Sequence, residues 1–146
     1  MTLKTVEKNV LVLHSAEQMF DLVNTVEDYP RFLPWCARTE VLRREGDVLE
    51  AMLHMDYMKV RQSFGTRNHN RPPHEIRMDL LNGPFKSLSG TWRFTPLGDL
   101  GCKIEFRLEY EFASSMLSAL IGPVFNRIAT TLVDAFIQEA DRRYDN

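Results

Sequence analysis

An alternation of apolar and charged side chains in the last third of the chain constrains its fold more than any other feature. Between residues 102 and 112 every even position is apolar or aromatic, and every odd position is charged. Successive side chains of a strand point to opposite faces, so this run predicts a strand with one buried and one solvated face. Such strands are typical of antiparallel sheets.

Weaker alternation of the same kind reaches back to residue 38 and predicts further strands. Leu49, Ala51, Leu53 and Met55 share one strand face, and shorter alternations cover residues 60–66, 76–80 and 88–94. Residues that favour chain reversal separate these strands, at 46–47, 70–73, 82–84 and 98–101. With an N-terminal strand over residues 6–13, the pattern predicts an antiparallel sheet of about seven strands.

Three segments predict helices. Ser15 and Gln18 have the spacing of a capping box, which predicts a short helix over residues 16–23. A second brief helix is expected over residues 27–32, where Pro30 and Pro34 limit its length. From residue 117 onward apolar residues recur every three or four positions, which predicts a long amphipathic helix over roughly residues 115–144, bent at Gly122-Pro123.

The order of these elements predicts an α+β fold in one domain, residues 1–146. A sheet with one apolar face and a helix with one apolar stripe both lose exposed apolar surface when they pack together. We therefore expect a curved sheet wrapped around the C-terminal helix, with the two short helices after the first strand. The pattern does not distinguish an open cavity between sheet and helix from a filled core.

Composition limits the partners that the chain attracts as a whole. The 18 basic and 20 acidic side chains give a net charge of −2, so any contact with nucleic acid or anionic lipid must be local. The N-terminus lacks the apolar core of a signal peptide, and no apolar run approaches the roughly 20 residues that span a bilayer. A cytoplasmic location is the expectation, with a peripheral contact at the inner face of the membrane left open. Cys36 and Cys102 are expected to be small core residues.

The sequence offers no recognisable catalytic motif. Its four histidines lack the spacing of a helical zinc site, and His54 is expected to face solvent because it alternates with core residues. Neither a nucleophile elbow nor a phosphate-binding glycine loop is present. Glu27 and Asp28 are interpreted as surface carboxylates at a helix start. We assign no catalytic residue, metal site or cofactor, and expect a protein that is not an enzyme.

Two aromatic clusters and one basic segment remain as candidate sites. Residues 29–36, Y-P-R-F-L-P-W-C, are too apolar and proline-rich for an ordinary surface loop, and residues 83–94 combine G-P-F-K with inward-facing large side chains around Gly90. That glycine leaves room for another group to approach. Residues 59–77 carry five basic side chains against one acid, with Lys59, Arg61 and Arg67 expected on one strand face.

These clusters resemble the coenzyme Q-binding and ribosome association toxin family of the START-like superfamily. The segments that carry the resemblance are residues 29–36, residues 83–94, the G-P-V-F at 122–125 and the A-F at 135–136, and the likeness covers nearly the whole chain. It implies a helix-grip fold with a hydrophobic cavity between sheet and helix, and it implies no catalysis. A small enzyme acting on a cyclic polyketide is permitted by the superfamily but lacks a visible acid–base pair here.

The resemblance implies two different functions. Mitochondrial members are regarded as binding coenzyme Q and supporting respiration, whereas bacterial members are labelled as toxins that bind the large ribosomal subunit and block subunit joining. The first function predicts binding of ubiquinone or a related polyisoprenoid lipid, in a tunnel that hides its tail from water. The wall residues implied by the motifs are Pro34, Trp35, Phe85, Trp92, Val124 and Phe125. The second function predicts RNA or headgroup contact at Lys59, Arg61, Arg67 and Arg71.

Overall fold

Seven antiparallel strands form one sheet in the computed structural model, which describes residues 3–144. The strands are β1 Lys4–Val12, β2 Cys36–Glu45, β3 Val48–Tyr57, β4 Val60–Arg71, β5 Glu75–Asn82, β6 Phe85–Leu97 and β7 Gly101–Phe112. Their order across the sheet is β1-β7-β6-β5-β4-β3-β2. The first strand therefore joins the last, and every other pair is a hairpin between neighbours in sequence.

The helices lie where the sequence predicts them. They are α1 Ala16–Asn24, a short 3₁₀ turn Val26–Asp28, α2 Tyr29–Phe32 and α3 Ser115–Tyr144. The capping box at α1 is confirmed. The backbone N–H of Gln18 donates to the Ser15 hydroxyl, and the backbone N–H of Ser15 donates to Gln18 Oε1, both at 3.0 Å. The predicted α+β fold, with two short helices and a long C-terminal helix, is confirmed.

Alternation along β7 separates core from solvent as predicted. Its even-numbered side chains from Cys102 to Phe112 are all buried, and they face α3 across the concave side of the sheet. From α3, Phe125 packs against Tyr110 at 4.8 Å and Phe136 packs against Trp92 at 5.3 Å between ring centroids. The sheet and the helix thus bury one another's apolar faces.

Helix α3 is the element that bears on the expectation for membrane-spanning segments. By length and composition alone it is long and apolar enough to cross a bilayer, although Asn126, Arg127 and small polar residues interrupt its apolar run. In this fold its buried stripe packs on the sheet, as a core helix does. The apolar residues near its start, in contrast, are exposed.

Two smaller expectations have definite outcomes. Cys36 and Cys102 are both buried free thiols, and burial raises the pKa of each to about 11, so they are confirmed as core residues. The space beside Gly90 is already taken, since a Cβ there would lie 2.7 Å from Met78 Cε and 3.1 Å from Leu108 Cδ1. The glycine therefore accommodates core side chains rather than leaving a gap.

Candidate ligand-binding cavity

A cavity of about 80 Å³ lies between the concave face of the sheet and α3. Five strands contribute to its walls, and the helix contributes Phe125, Ile128, Ala129, Leu132 and Phe136. Every side chain on these walls is apolar or aromatic except Thr66 and Asn68. Protein interiors contain few voids larger than a water molecule, so this space is a distinctive feature of the core.

Two aromatic clusters flank the cavity, and each contributes some of its wall residues. One consists of Phe64, Phe85, Tyr110, Phe112 and Phe125, in which Phe85 lies 5.0 Å from Phe125 and 5.1 Å from Phe112. The other consists of Tyr29, Phe32, Trp92 and Phe136, in which Phe136 lies 5.3 Å from each of the other three rings. Most of these contacts are edge-to-face, a geometry that aromatic pairs favour, whereas Phe85 and Phe112 are stacked.

An open groove of about 500 Å³ adjoins the cavity and is separated from it by three side chains. Its apolar side is formed by Phe32, Pro34, Trp35 and Tyr57, and its polar side by charged residues of α3. Trp35, Ile128 and Leu132 line both the groove and the cavity. These three side chains therefore form the partition between solvent and the inner space.

The structure brings together only some of the residues implied by the motifs. Trp35, Trp92 and Phe125 line the cavity, whereas exposed Pro34 lies in the groove. Phe85 lies behind the wall in the first aromatic cluster, and Val124 is half-buried on α3 away from both spaces. That these six residues contact a ligand stays a prediction.

Thr66 and Asn68 are wall residues that the sequence interpretation did not identify as a site. Both are 6% exposed, and the side-chain Oδ1 of Asn68 has no hydrogen-bond partner among residues 3–144. Their spacing from Phe64 on β4 was the available signal, since alternate residues share a strand face. Polar residues in a strand are more often solvated, which hid their inward orientation.

The described cavity walls carry no group suited to proton transfer. Tyr29 is the only titratable side chain on them, its hydroxyl donates to the Val23 carbonyl, and burial raises its pKa. Among residues 3–144 no cluster of three or more histidine, cysteine, aspartate or glutamate side chains could hold a metal ion.

An ion-pair network around the buried Glu139 carboxylate lies at the end of the groove, with Arg142 largely exposed. Arg142 Nε donates to Glu139 Oε1 at 2.9 Å, and this bond lowers the pKa of the Glu139 carboxyl; burial opposes the effect and Arg143 reinforces it. Arg143 also donates to Asp28 at 3.2 Å, which joins α3 to the start of α2. The network fixes the last turns of α3 beside the groove.

The basic segment has a different arrangement from the predicted one. Arg61 and Arg67 do lie on the convex face of β4, but Lys59 lies in the β3–β4 turn with a φ of 67°, so the expectation that it shares their face is wrong. Each of the three arginines has a carboxylate partner: Arg61 pairs with Asp56 at 3.3 Å, Arg67 with Glu50 at 2.6 Å and Arg71 with Glu75 at 3.6 Å. Neighbouring strands thus neutralise much of the charge excess.

His54 lies on the same convex face. Its ring nitrogens contact Ser63 Oγ at 2.6 Å and Glu40 Oε1 at 2.7 Å. The expected outward orientation is confirmed, and the side chain is partly covered by these neighbours.

Comparisons with known proteins agree with this architecture. A family model described as polyketide cyclase/dehydrase and lipid transport matches residues 12–137. The ribosome association toxin RatA of Vibrio cholerae is 42% identical over 142 residues, covering 97% of this chain and 99% of that protein. A mitochondrial coenzyme Q-binding protein homologue of Xenopus laevis is 33% identical over 135 residues, covering 89% of this chain and 55% of that protein.

Among solved structures, the Zhui aromatase/cyclase from Streptomyces sp. R1128 has a TM-score of 0.82, with 97% of this chain and 96% of that chain covered. Its sequence is 20% identical, so the likeness shows the fold alone. The family match and the two relatives carry the assignment further. The chain belongs to the polyketide cyclase/dehydrase and lipid transport family and, within it, to the coenzyme Q-binding and ribosome association toxin group.

Proposed function

We propose that this protein binds one apolar ligand of the polyisoprenoid quinone class, such as ubiquinone, in the cavity between the sheet and α3, and that it does so in the cytoplasm without catalysis. The observation that carries the proposal is the apolar cavity itself, which adjoins an open groove across a partition of three side chains. The name of the Xenopus relative, a coenzyme Q-binding protein, supports this ligand class. Support of respiration would follow from such binding.

The size of the cavity limits how such a ligand is held. Binding pockets for small molecules usually measure about 300–1,000 Å³, and an apolar cavity of about 150 Å³ suffices for a benzene ring. The space of about 80 Å³ therefore needs moderate widening to take a quinone ring, and it is too small for a polyisoprenoid tail. The expected tunnel for the tail is not formed inside the core, so the tail must lie elsewhere, and the groove offers the room.

The absence of proton-transfer groups on the described cavity walls favours binding over catalysis. The relatives are named for binding and association rather than for a reaction. A cyclase reaction on a polyketide would require an acid or base facing the substrate. Neither the cavity nor its partition offers one in the part of the chain described.

A titration with decyl-para-benzoquinone tests this proposal. Both tryptophans of the chain, Trp35 and Trp92, line the cavity, so a bound quinone is expected to quench their fluorescence. Saturable quenching at one quinone per chain is the expected result. Quenching that rises linearly with quinone and never saturates would contradict binding at a defined site.

Ribosome association is the second candidate function, and the identity to Vibrio cholerae RatA over almost the whole chain favours it. The surface available for RNA is the convex face of β4, with Arg61, Arg67 and Arg71. Exposed ion pairs contribute little stability, so RNA phosphates could replace the carboxylate partners at small cost. Because each of these arginines already pairs with a carboxylate, this surface should bind RNA less tightly than an unpaired basic patch would.

Reversal of Arg61, Arg67 and Arg71 to glutamate tests the second candidate. The variant is expected to cosediment with purified large ribosomal subunits about tenfold less than the wild type at low salt, since phosphate contacts carry the salt-dependent part of RNA binding. The variant should also inhibit the joining of ribosomal subunits less than the wild type does, to the extent that its binding is reduced.

The matched control reverses Arg38, Arg43 and Arg107, which lie on other strands and change the net charge equally. The control variant should cosediment more than the β4 variant does. Equal losses in the two variants, or no loss in either, would contradict a specific role for β4.

Quinone binding also requires contact with a membrane, because a protein that carries a quinone must collect this water-insoluble ligand from the bilayer. The start of α3 is suited to it: Met116 is 71% exposed, Leu120 is 64% exposed, and residues 112–126 include no charged side chain. An uncharged apolar surface gains free energy at a neutral lipid interface. We propose that this segment makes the transient peripheral contact.

A further inference from the structure

Apart from Tyr29, whose hydroxyl already donates to the Val23 carbonyl, and the two tryptophans, the polar side chains on the described cavity walls are a pair on β4. Thr66 and Asn68 face inward from this strand, and Asn68 is 94% shielded from solvent, as its exposure of 6% implies. An amide buried without a hydrogen bond has lost its contacts with water and gained none in return, so it destabilises a fold. A structural role does not account for such a residue in the centre of an apolar wall.

Neighbouring strands offer Asn68 no partner. Across the sheet it lies opposite Leu49 on β3 and Met78 on β5, and Thr66 lies opposite Ala51 and Leu80. All four of these side chains are apolar. A group that hydrogen-bonds to Asn68 must therefore approach from within the cavity.

Asn70, two residues further along β4, shows what an inward amide does when a protein partner is near. Its Nδ2 donates to Asn24 Oδ1 at the end of α1, at 2.9 Å, although its own Oδ1, like that of Asn68, has no partner within residues 3–144. Asn70 lies outside the cavity, and no such bond is formed by the Asn68 side chain within residues 3–144. The two asparagines share a strand and a face but differ in what lies in front of them.

We propose that Asn68, assisted by Thr66, is the polar contact for the ligand's head group, which enters the cavity first while the tail runs out past Trp35 and Leu132 into the groove. This inference rests on the proposed function. The ligand chemistry it requires is an apolar ring that carries a carbonyl or hydroxyl oxygen. The amide donates to a quinone carbonyl and, turned by half a rotation, accepts from a quinol hydroxyl, so it suits both redox states of one ligand.

The size of the cavity supports this orientation. A space of about 80 Å³ that widens moderately can admit a ring, but not a chain of isoprene units. The apolar side of the groove, with Phe32, Pro34 and Trp35, continues directly from the partition. The head group is therefore the part of the ligand that reaches Asn68.

A pair of probes with the same carbon skeleton tests the inference. Decyl-para-benzoquinone and decylbenzene share a planar six-carbon ring and a decyl tail, but only the quinone has oxygens that can accept a hydrogen bond. In the wild type the quinone should bind about tenfold more tightly than decylbenzene. The affinity for decylbenzene is measured by competition, as the concentration that displaces the bound quinone. In Asn68→Leu this preference should be lost, while decylbenzene binds at least as tightly as before.

Two further variants keep the test decisive. Thr66→Val removes a hydroxyl at constant shape and should reduce the preference in the same direction, which serves if Asn68→Leu does not fold. Asn70→Ala is the matched control, expected to retain the full preference because that residue lies outside the cavity. A wild-type preference that survives both Asn68→Leu and Thr66→Val would overturn the inference and leave the proposed function intact. A wild type that binds neither probe would overturn the proposed function itself, and the inference with it.

Discussion

Ala129 is the smallest side chain that α3 presents to the cavity, and it is 3% exposed. A small residue at the centre of the helix face keeps the space open, because the neighbouring Phe125, Ile128 and Leu132 already fill the rest of the interface. The volume of the cavity thus depends on one residue identity. This dependence makes the cavity testable without disturbing the rest of the core.

The change Ala129→Leu is predicted to fill the cavity and prevent quinone binding. Filling a void commonly stabilises a fold by about 0.5–2 kcal/mol, so the free energy of unfolding should be unchanged or raised while affinity for decyl-para-benzoquinone falls at least tenfold. Urea unfolding and fluorescence titration measure the two effects. Thr130→Leu, on an exposed position of the same helix outside the cavity and the groove, should alter neither. Wild-type affinity in folded Ala129→Leu would show that the quinone binds elsewhere.

Some residues of this site could be predicted from the sequence, and others could not. Trp35 and Trp92 could be expected as wall residues because their aromatic motifs resemble a known family. Asn68 could not be singled out, since an asparagine in a strand is usually solvated and only its spacing from Phe64 indicates an inward side chain. Lys59 was misplaced because the positive φ of a turn is invisible to an alternation pattern.

At the scale of elements, α3 combines two surfaces with different roles. From Ile121 to Ala140 its buried stripe packs on the sheet, whereas its first turns carry exposed apolar side chains. Its bounds at Ser115–Tyr144 could be predicted from the three- and four-residue period. How closely the helix approaches the sheet depends on pairwise packing across the interface, so the size of the cavity was not predictable from local pattern.

The double change Met116→Glu and Leu120→Glu is predicted to weaken membrane contact. Two exposed apolar side chains that enter a lipid interface each contribute about 1 kcal/mol or more, so flotation with neutral phosphatidylcholine vesicles should fall about tenfold. Leu100→Glu is the control, since Leu100 is 76% exposed but lies in the distant β6–β7 turn. Vesicle binding that drops equally in the control, or persists in the double variant, would contradict a role for the start of α3.

At the scale of the whole molecule, the fold and the charge distribution favour enclosure of a small apolar ligand. The sheet and α3 form a single layered core around the cavity, and the arginines of the convex face are paired with carboxylates. The order of strand, short helices, sheet and long helix was predictable, because each step has its own local pattern.

The most direct measurement is mass spectrometry of the lipids that copurify with the wild-type protein from its native kind of host. The account predicts a polyisoprenoid quinone in near-stoichiometric amount, which is lost from Ala129→Leu and retained by Thr130→Leu. Protein that carries no apolar lipid, yet still blocks the joining of ribosomal subunits, would contradict the account and make ribosome association the primary function.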